Sequence, residues 1–343
     1  MVLKVFHTIF HHSVAIDLGT ANTRVYAPSC SQLTETPSSI SLVTKKTKNL
    51  SDEYLQYINK RLFARPLRGG VIVDLRNAIM LLKPLIRKSR KYWLPPVSLA
   101  SAPMDTTDRE RDILRKAIID AGASQVAIMP EVWAAAIGAG IDITQKNAQL
   151  LIDIGDGVTD MAVFRDGRII YSSSIRVACS DIQKAVRSLI VMKYKMQLHD
   201  NDIEKLTNVI SFIPCREKCR EEFFRINGFD IFKRNEVNFC VSKMDIINSI
   251  EPKIDKIIKQ IEYFLKKLPE KIYLEIIESG ICLTGGGACI EGMDTLIALK
   301  TKMDVIVPPD PTHAVINGAI QTLNYWDGKK NWWENIAWPK LSS

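Results

Sequence analysis

The sequence predicts an α/β protein made of two related halves. Three observations predict it. Short apolar runs alternate with segments of helical period along the chain. The run Val14-Ala15-Ile16-Asp17-Leu18-Gly19 returns as Leu150-Leu151-Ile152-Asp153-Ile154-Gly155, as a duplicated unit would. Glycine-bearing turns follow apolar runs near residues 19, 155 and 285.

The elements follow in order. Residues 14–18 and 23–26 read as a β-hairpin. Residues 28–70 are polar and carry no clear period. Ala78, Leu81, Leu82 and Leu85 share one helical face after Asp74. Residues 97–100 form a strand that ends at Pro103. Residues 107–121 form a helix in which Thr107 and Glu110 have capping-box spacing. A strand at 126–129 leads into an alanine-rich helix at 132–140. The second half repeats the plan with strands at 150–154, 161–164 and 168–172, the last two joined by an Asp166-Gly167 turn. Helical patterns cover 180–194 and 244–268. A strand at 280–284 meets Gly285-Gly286-Gly287, and a last helix spans 292–299.

Composition narrows the class. A chain of 343 residues can bury two cores. Its 46% hydrophobic and 24% charged residues are those of a globular protein. No apolar run reaches the roughly 18 residues of a membrane span, and Met1 to His12 lack a signal-peptide core. The seven cysteines, odd in number and without a C-x-x-C pair, suit a reducing compartment. Together these predict a cytoplasmic protein. The net charge of +8 collects in runs such as 45–48 and 87–91, which are solvated faces or a match for an anionic membrane. No nucleic-acid signature accompanies them, so no nucleic-acid partner is expected.

Two turns have the chemistry of phosphate loops. In Asp17-Leu18-Gly19-Thr20-Ala21-Asn22-Thr23 a glycine and small neighbours let backbone N–H groups approach phosphate oxygens. Gly155-Asp156-Gly157-Val158-Thr159 has the same logic, although Asp-Gly is also an ordinary hairpin turn. Asp17 and Asp153, at the strand ends, suit a hydrated magnesium ion. Thr284-Gly285-Gly286-Gly287-Ala288 allows backbone to approach a flat ligand, or is simply a flexible loop.

These segments resemble the actin, sugar-kinase and heat-shock-chaperone superfamily, and within it the MreB family. The similarity covers nearly the whole chain. It includes Ile16 to Thr23, Gly70 to Asp74, Glu131 to Gly140, Tyr171 to Arg176 and Leu283 to Ala288. The resemblance implies an actin-like fold: two domains, each with a mixed, mostly five-stranded sheet flanked by helices, around an ATP cleft. It divides the chain into a first domain at 1–146, with a small subdomain at about 34–73, and a second at 147–330, with a small subdomain at about 183–247. Residues 331–343 are a tail.

The same resemblance implies ATP with Mg2+, held by Gly19, Thr20, Ala21 and Asn22 from one side and by Gly155, Asp156, Gly157, Val158 and Thr159 from the other. Glu204, Lys205, Thr207, Gly285, Gly286, Gly287 and Ala288 border the nucleoside. Glu131, with Asp153, is the catalytic candidate. The implied activity is a slow ATPase coupled to polymerisation. The implied setting is a filament on the inner membrane face that organises cell-wall synthesis. Its alternatives are a paralogue that joins filaments with little hydrolysis and a non-polymerising ATPase. The chain departs from the family pattern at Ala178-Cys179-Ser180, where the family has Gly-Gly-Asp, and at Val158 and Thr207, where the family has threonine and lysine.

Two segments suit a membrane surface. Val2, Leu3, Val5, Phe6, Ile9 and Phe10 fall on one side of a short helix; the alternative is a tail packed on the first sheet. Trp93 and Leu94 lie in an apolar loop beside a basic run; there the alternative is a cap on the domain core.

Overall fold

Two five-stranded sheets organise the computed structural model, which describes residues 13–28, 30–41, 63–89, 94–208 and 222–324. β1 (Ser13–Leu18) pairs antiparallel with β2 (Asn22–Ala27), and β2 with β3 (Gln32–Pro37). Two short hairpins follow, β4 (Ile40–Ser41) with β5 (Phe63–Ala64) and β6 (Leu67–Arg68) with β7 (Val71–Ile72). Helix α1 (Leu75–Lys88) starts at Asp74, whose carboxylate accepts the Asn77 backbone N–H. β8 (Val97–Ala102) runs parallel to β1. α2 (Asp108–Asp120) carries the capping box at Thr107 and Glu110, and β9 (Gln125–Pro130) runs parallel to β8.

Helix α3 (Glu131–Gly138) leads into the second half. β10 (Gln149–Ile154), β11 (Thr159–Arg165) and β12 (Arg168–Ile175) form an antiparallel meander. α4 (Cys179–Leu189) runs into a π turn, Ile190–Tyr194. β13 (Met196–Gln197), α5 (Asp200–Asn208), β14 (Phe223–Asp230) and β15 (Glu236–Ser242) make a small subdomain with a three-stranded sheet. α6 (Lys243–Lys266) and α7 (Glu270–Ser279) precede β16 (Ile281–Thr284), which is parallel to β10. A 3-10 turn at Gly286–Cys289, α8 (Met293–Thr301), β17 (Val305–Ile306) and α9 (Ala314–Asn324) complete the described chain.

The strand orders are β3-β2-β1-β8-β9 and β12-β11-β10-β16-β17. Strand for strand they are the same sheet, so the repeat at Asp17 and Asp153 is a duplicated fold unit. β1 and β10 are central and covered on both faces, and their sequences are near-continuous apolar runs for that reason. The four α1 positions read from the sequence are all buried. β3 is the exception. Gln32-Leu33-Thr34-Glu35-Thr36-Pro37 is an edge strand without a buried face, so it carried no apolar signal.

Each half has its own core, and a third cluster joins them. Ala15 and Leu99 of the first sheet share it with Leu151, Ala162 and Phe164 of the second, and with α3 and α9. α9 packs on β1, β2 and β8, so residues 314–324 return to the first sheet. α3 reaches β10 and β11 in turn. Among the described residues no helix is long and apolar enough to cross a membrane.

Candidate functional site

A cleft of ≈ 1010 Å³ opens between the halves. The β1–β2 turn supplies Gly19, Thr20, Ala21 and Asn22 to its wall, and the β10–β11 turn supplies Gly155, Asp156, Gly157 and Val158. The two turns touch. A Cβ on Gly157 would lie 2.6 Å from the Thr20 hydroxyl and 2.8 Å from the Gly70 nitrogen. Any side chain at 157 would wedge the turns apart. The Gly70 N–H donates to Thr20 Oγ1 (2.9 Å), which anchors the first turn to the β6–β7 hairpin. Ser38 holds the same turn from beneath: its hydroxyl donates to the Gly19 carbonyl (2.6 Å) and its N–H to the Ala21 carbonyl (2.7 Å). Ser38 was not read from the sequence, because it lies in the polar stretch without period.

Carboxylates crowd the base of the cleft. Asp17 is the penultimate residue of β1, Asp153 the penultimate residue of β10, Glu131 opens α3 and Asp160 lies on β11. Burial raises the Asp153 pKa to about 6, with the Thr284 hydroxyl bond (2.8 Å) opposing and the Asp17 charge adding. Burial raises Asp160 to about 7, opposed by its bond from Ser174 and helped by Asp153 and Asp105. Burial again, then the charges of Asp17, Asp160 and Asp153, lifts Glu131 well above the usual carboxylate range. Burial raises Asp17 too, while its ion pair with Arg24 (3.1 Å) opposes. Such a concentration of negative charge costs folding free energy unless a cation offsets it. Among the described residues no three His, Cys, Asp or Glu converge into a ready-made cage. That donor set suits Mg2+, which keeps several waters and shares one or two carboxylates with phosphate oxygens.

The third glycine cluster divides. Gly285 and Gly286 line the cleft. Gly287 instead lies flat against Ile154, where a Cβ would fall 2.3 Å from its Cγ2, and Ala288 packs against the second core. Glu204 and Thr207 line the wall from α5, but the Thr207 hydroxyl donates back to the Ile203 carbonyl (2.8 Å). Lys205 points away and pairs with Asp202 (3.6 Å). Thr159 is buried within β11, its hydroxyl donating to the Val177 carbonyl (2.8 Å). Thr159, Lys205, Gly287 and Ala288 therefore stand off the cleft wall. Among the membrane candidates Leu94 is half-buried, and Val2, Leu3, Val5, Phe6, Ile9, Phe10 and Trp93 lie outside the described residues.

The mouth carries cations that sequence reading missed. Arg65 from the first half reaches Asp200 of α5 in the second (3.0 Å), and Arg187 of α4 pairs with the same carboxylate. Lys184 lies beside them, paired with Asp181 (3.3 Å). Asp156 faces this group with one carboxylate oxygen buried and without a partner. Burial raises its pKa, and Arg65 and Lys184 oppose the rise. A cleft acidic at its base and cationic at its mouth suits a polyphosphate with a divalent cation below it.

Comparison with known proteins fits this geometry. A family model described as MreB/Mbl protein matches residues 11–331. The cell shape-determining protein MreB of Escherichia coli (strain K12) is 26% identical over 339 residues, covering 95% of this chain and 97% of that protein. The crystal structure of MreB5 of Spiroplasma citri bound to AMPPNP superposes with a TM-score of 0.77 at 28% identity, covering 92% of this chain and 97% of that one. The MamK double helical filament structure, at 16% identity and a TM-score of 0.74, covers 92% and 99% and shares the fold.

Proposed function

The chain belongs to the MreB/Mbl family, and from that premise we propose that it is an ATP-binding, cell-shape cytoskeletal protein that polymerises on the inner face of the cell membrane. One observation carries the nucleotide reading: two glycine turns from duplicated sheets meet at Thr20 and Gly157 above buried carboxylates. Backbone N–H groups of Thr20, Ala21 and Asn22 and of the 155–158 turn hold phosphates. Asp17 and Asp153 would hold Mg2+ through water, and the ion would neutralise phosphate charge. Gly285, Gly286 and Glu204 border the nucleoside. The AMPPNP-bound relative supports this use of the cleft. The filament structure that shares the fold supports assembly.

Glu131 orients water for phosphoryl transfer, a role supported by its position on the cleft lining. Val158 lines the cleft with methyl groups, which cannot hydrogen-bond water. This favours slow turnover, and in the limit a paralogue that joins filaments with little hydrolysis. Cell-wall synthesis proteins are the partners implied by the family's role in cell shape.

Sedimentation and electron microscopy test the reading. Purified protein should form filaments at micromolar concentration with ATP and magnesium, and fewer without. A chain that stays monomeric with ATP, magnesium and anionic vesicles is not a filament protein by itself. Vesicle flotation tests the membrane assignment. It should fall sharply when residues 2–10 are deleted and Trp93 and Leu94 become serine; unchanged flotation removes that assignment.

A further inference from the structure

Arg24 lies on β2 just beyond the first glycine turn and lines the cleft. In the strand register it faces Asp17 on one side and Glu35 on the other. Its guanidinium bonds both, Nη1 to Asp17 at 3.1 Å and Nη2 to Glu35 at 2.8 Å. Glu35 does not stand free: His313 Nε2 meets its carboxylate at 3.1 Å, and His313 Nδ1 meets Asp310 at 2.8 Å. The ladder Asp17, Arg24, Glu35, His313, Asp310 therefore runs from the carboxylate cluster to the segment that returns the chain to α9. That segment is also tied to the second half, because the Gly285 N–H donates to the Pro311 carbonyl (2.9 Å).

The sequence reading gave Arg24 no role, and charge balance suggests one. A guanidinium offers five N–H donors in a fixed fork. Arg24 pairs with the carboxylates of Asp17 and Glu35, and its Nε is buried with no acceptor. Asp17 is also one of the two carboxylates assigned to the divalent cation. A cation drawn to Asp17 and a phosphate drawn to Arg24 satisfy both groups at once, and both charges remain compensated when their mutual pair is lost. Arg65 and Arg187 are both committed to Asp200 at the mouth, whereas Arg24 stands directly behind the first phosphate turn.

Building on the nucleotide reading, we propose that Arg24 is a phosphate-contacting residue of this cleft, with Glu35 and His313 positioning its guanidinium. Arg24 discriminates phosphorylated from unphosphorylated nucleosides. Glu35, held by His313, keeps the fork aimed when Asp17 turns to the cation. An arginine is suited to this task, since its planar fork engages a carboxylate and a phosphate with less loss of freedom than a lysine.

Calorimetric titration of the full chain with ATP, ADP and adenosine, each with magnesium, tests this. Arg24→Met should weaken ATP and ADP ten-fold or more and leave adenosine within two-fold. Arg24→Lys should recover part of the loss. Glu35→Gln should weaken ATP three-fold or more, again sparing adenosine, and should add nothing to Arg24→Met. Equal losses for adenosine and ATP would mark Arg24 as a purely structural strut, and unchanged ATP affinity in Arg24→Met would show that it touches no phosphate; either result overturns the proposal. Should Arg24→Met fail to fold by circular dichroism, Arg24→Lys and Glu35→Gln decide on the same contrast. A parent chain that binds ATP no better than adenosine overturns the nucleotide reading itself, a result distinct from any variant's behaviour.

Discussion

Gly138 of α3 and Gly318 of α9 face each other where the two helices cross. A Cβ on Gly138 would lie 1.9 Å from the Ala314 carbonyl oxygen, and one on Gly318 would lie 1.8 Å from that of Ala134. Gly318→Ala therefore separates a sign. Helix propensity alone would stabilise the protein by about 0.5–1 kcal/mol, whereas overpacking costs about 1–3 kcal/mol or more. The clash wins because both obstacles are backbone and cannot rotate aside. Thermal unfolding should show a melting temperature several degrees lower. An equal or higher value would mean that the helices part without cost.

Turnover should depend on Glu131. It opens α3 and lines the cleft among Asp17, Asp153 and Asp160. Glu131→Ala should lower the single-turnover hydrolysis rate ten-fold or more, about 1.4 kcal/mol in the barrier, with ATP affinity nearly intact. Hydrolysis at the parent rate would reduce Glu131 to an acidic first-turn residue favoured by the helix dipole. Val158→Thr, which restores a hydroxyl to the wall, should keep the rate or raise it.

Stability without metal or nucleotide should fall as pH rises from 5.5 to 7.5. Asp153 and Asp160 have folded pKa values raised to about 6 and about 7 by burial. A raised pKa gives stability that is present at low pH and lost as pH climbs through the folded value. For these two carboxylates the loss is on the order of 2 kcal/mol across the window. His313 acts in the same direction: burial lowers its pKa, but the bonds with Asp310 and Glu35 raise it further. Carboxylates with lowered pKa, such as Glu110 and Asp245, are ionised throughout this range and do not oppose the trend. Calorimetric scans should show a melting temperature some degrees lower at pH 7.5, and Asp160→Asn should flatten the dependence. A flat profile for the parent would refute the assigned burial.

The Arg65–Asp200 pair closes the cleft mouth, and both side chains are 56% exposed. Asp200→Asn should barely alter stability, since exposed pairs contribute roughly 0–1 kcal/mol. The same small energy acts on opening. Release of a fluorescent ATP analogue in stopped flow should speed up about two- to five-fold. An unchanged release rate would mean that this pair does not gate the mouth.

Much of the site was legible because backbone chemistry forces it. Glycines at 19, 155, 157 and 285 are needed where turns approach each other or neighbouring backbone closely, and those at 19, 155 and 157 follow near-continuous apolar runs. Lys205 and Thr159 stand off the cleft wall for a different reason. Spacing assigns a residue to a helix or strand, but not to the side that faces the cleft; Lys205 sits on the outer side of α5 and Thr159 inside β11. Arg24 and Glu35 went unread because pairing across the sheet brings them together, and Ser38 because it follows β3, which has no apolar face to announce it. The return of α9 to the first sheet was equally silent, since Ala314, Ile316, Ala319 and Leu323 would suit either core.

That return governs how the protein can be made. Ala15 and Leu99 are covered by a helix some three hundred residues downstream of the first strand. At roughly 5–20 residues per second, a ribosome needs many seconds between releasing β1 and releasing α9. From the completion of β9 and α3 to the arrival of α9, the first sheet has its strands and earlier helices, but the part of its inner face that α9 covers stays open. The apolar face at Ala15 and Leu99 therefore gains its full cover only after α9 has been made, long after the strands that carry it.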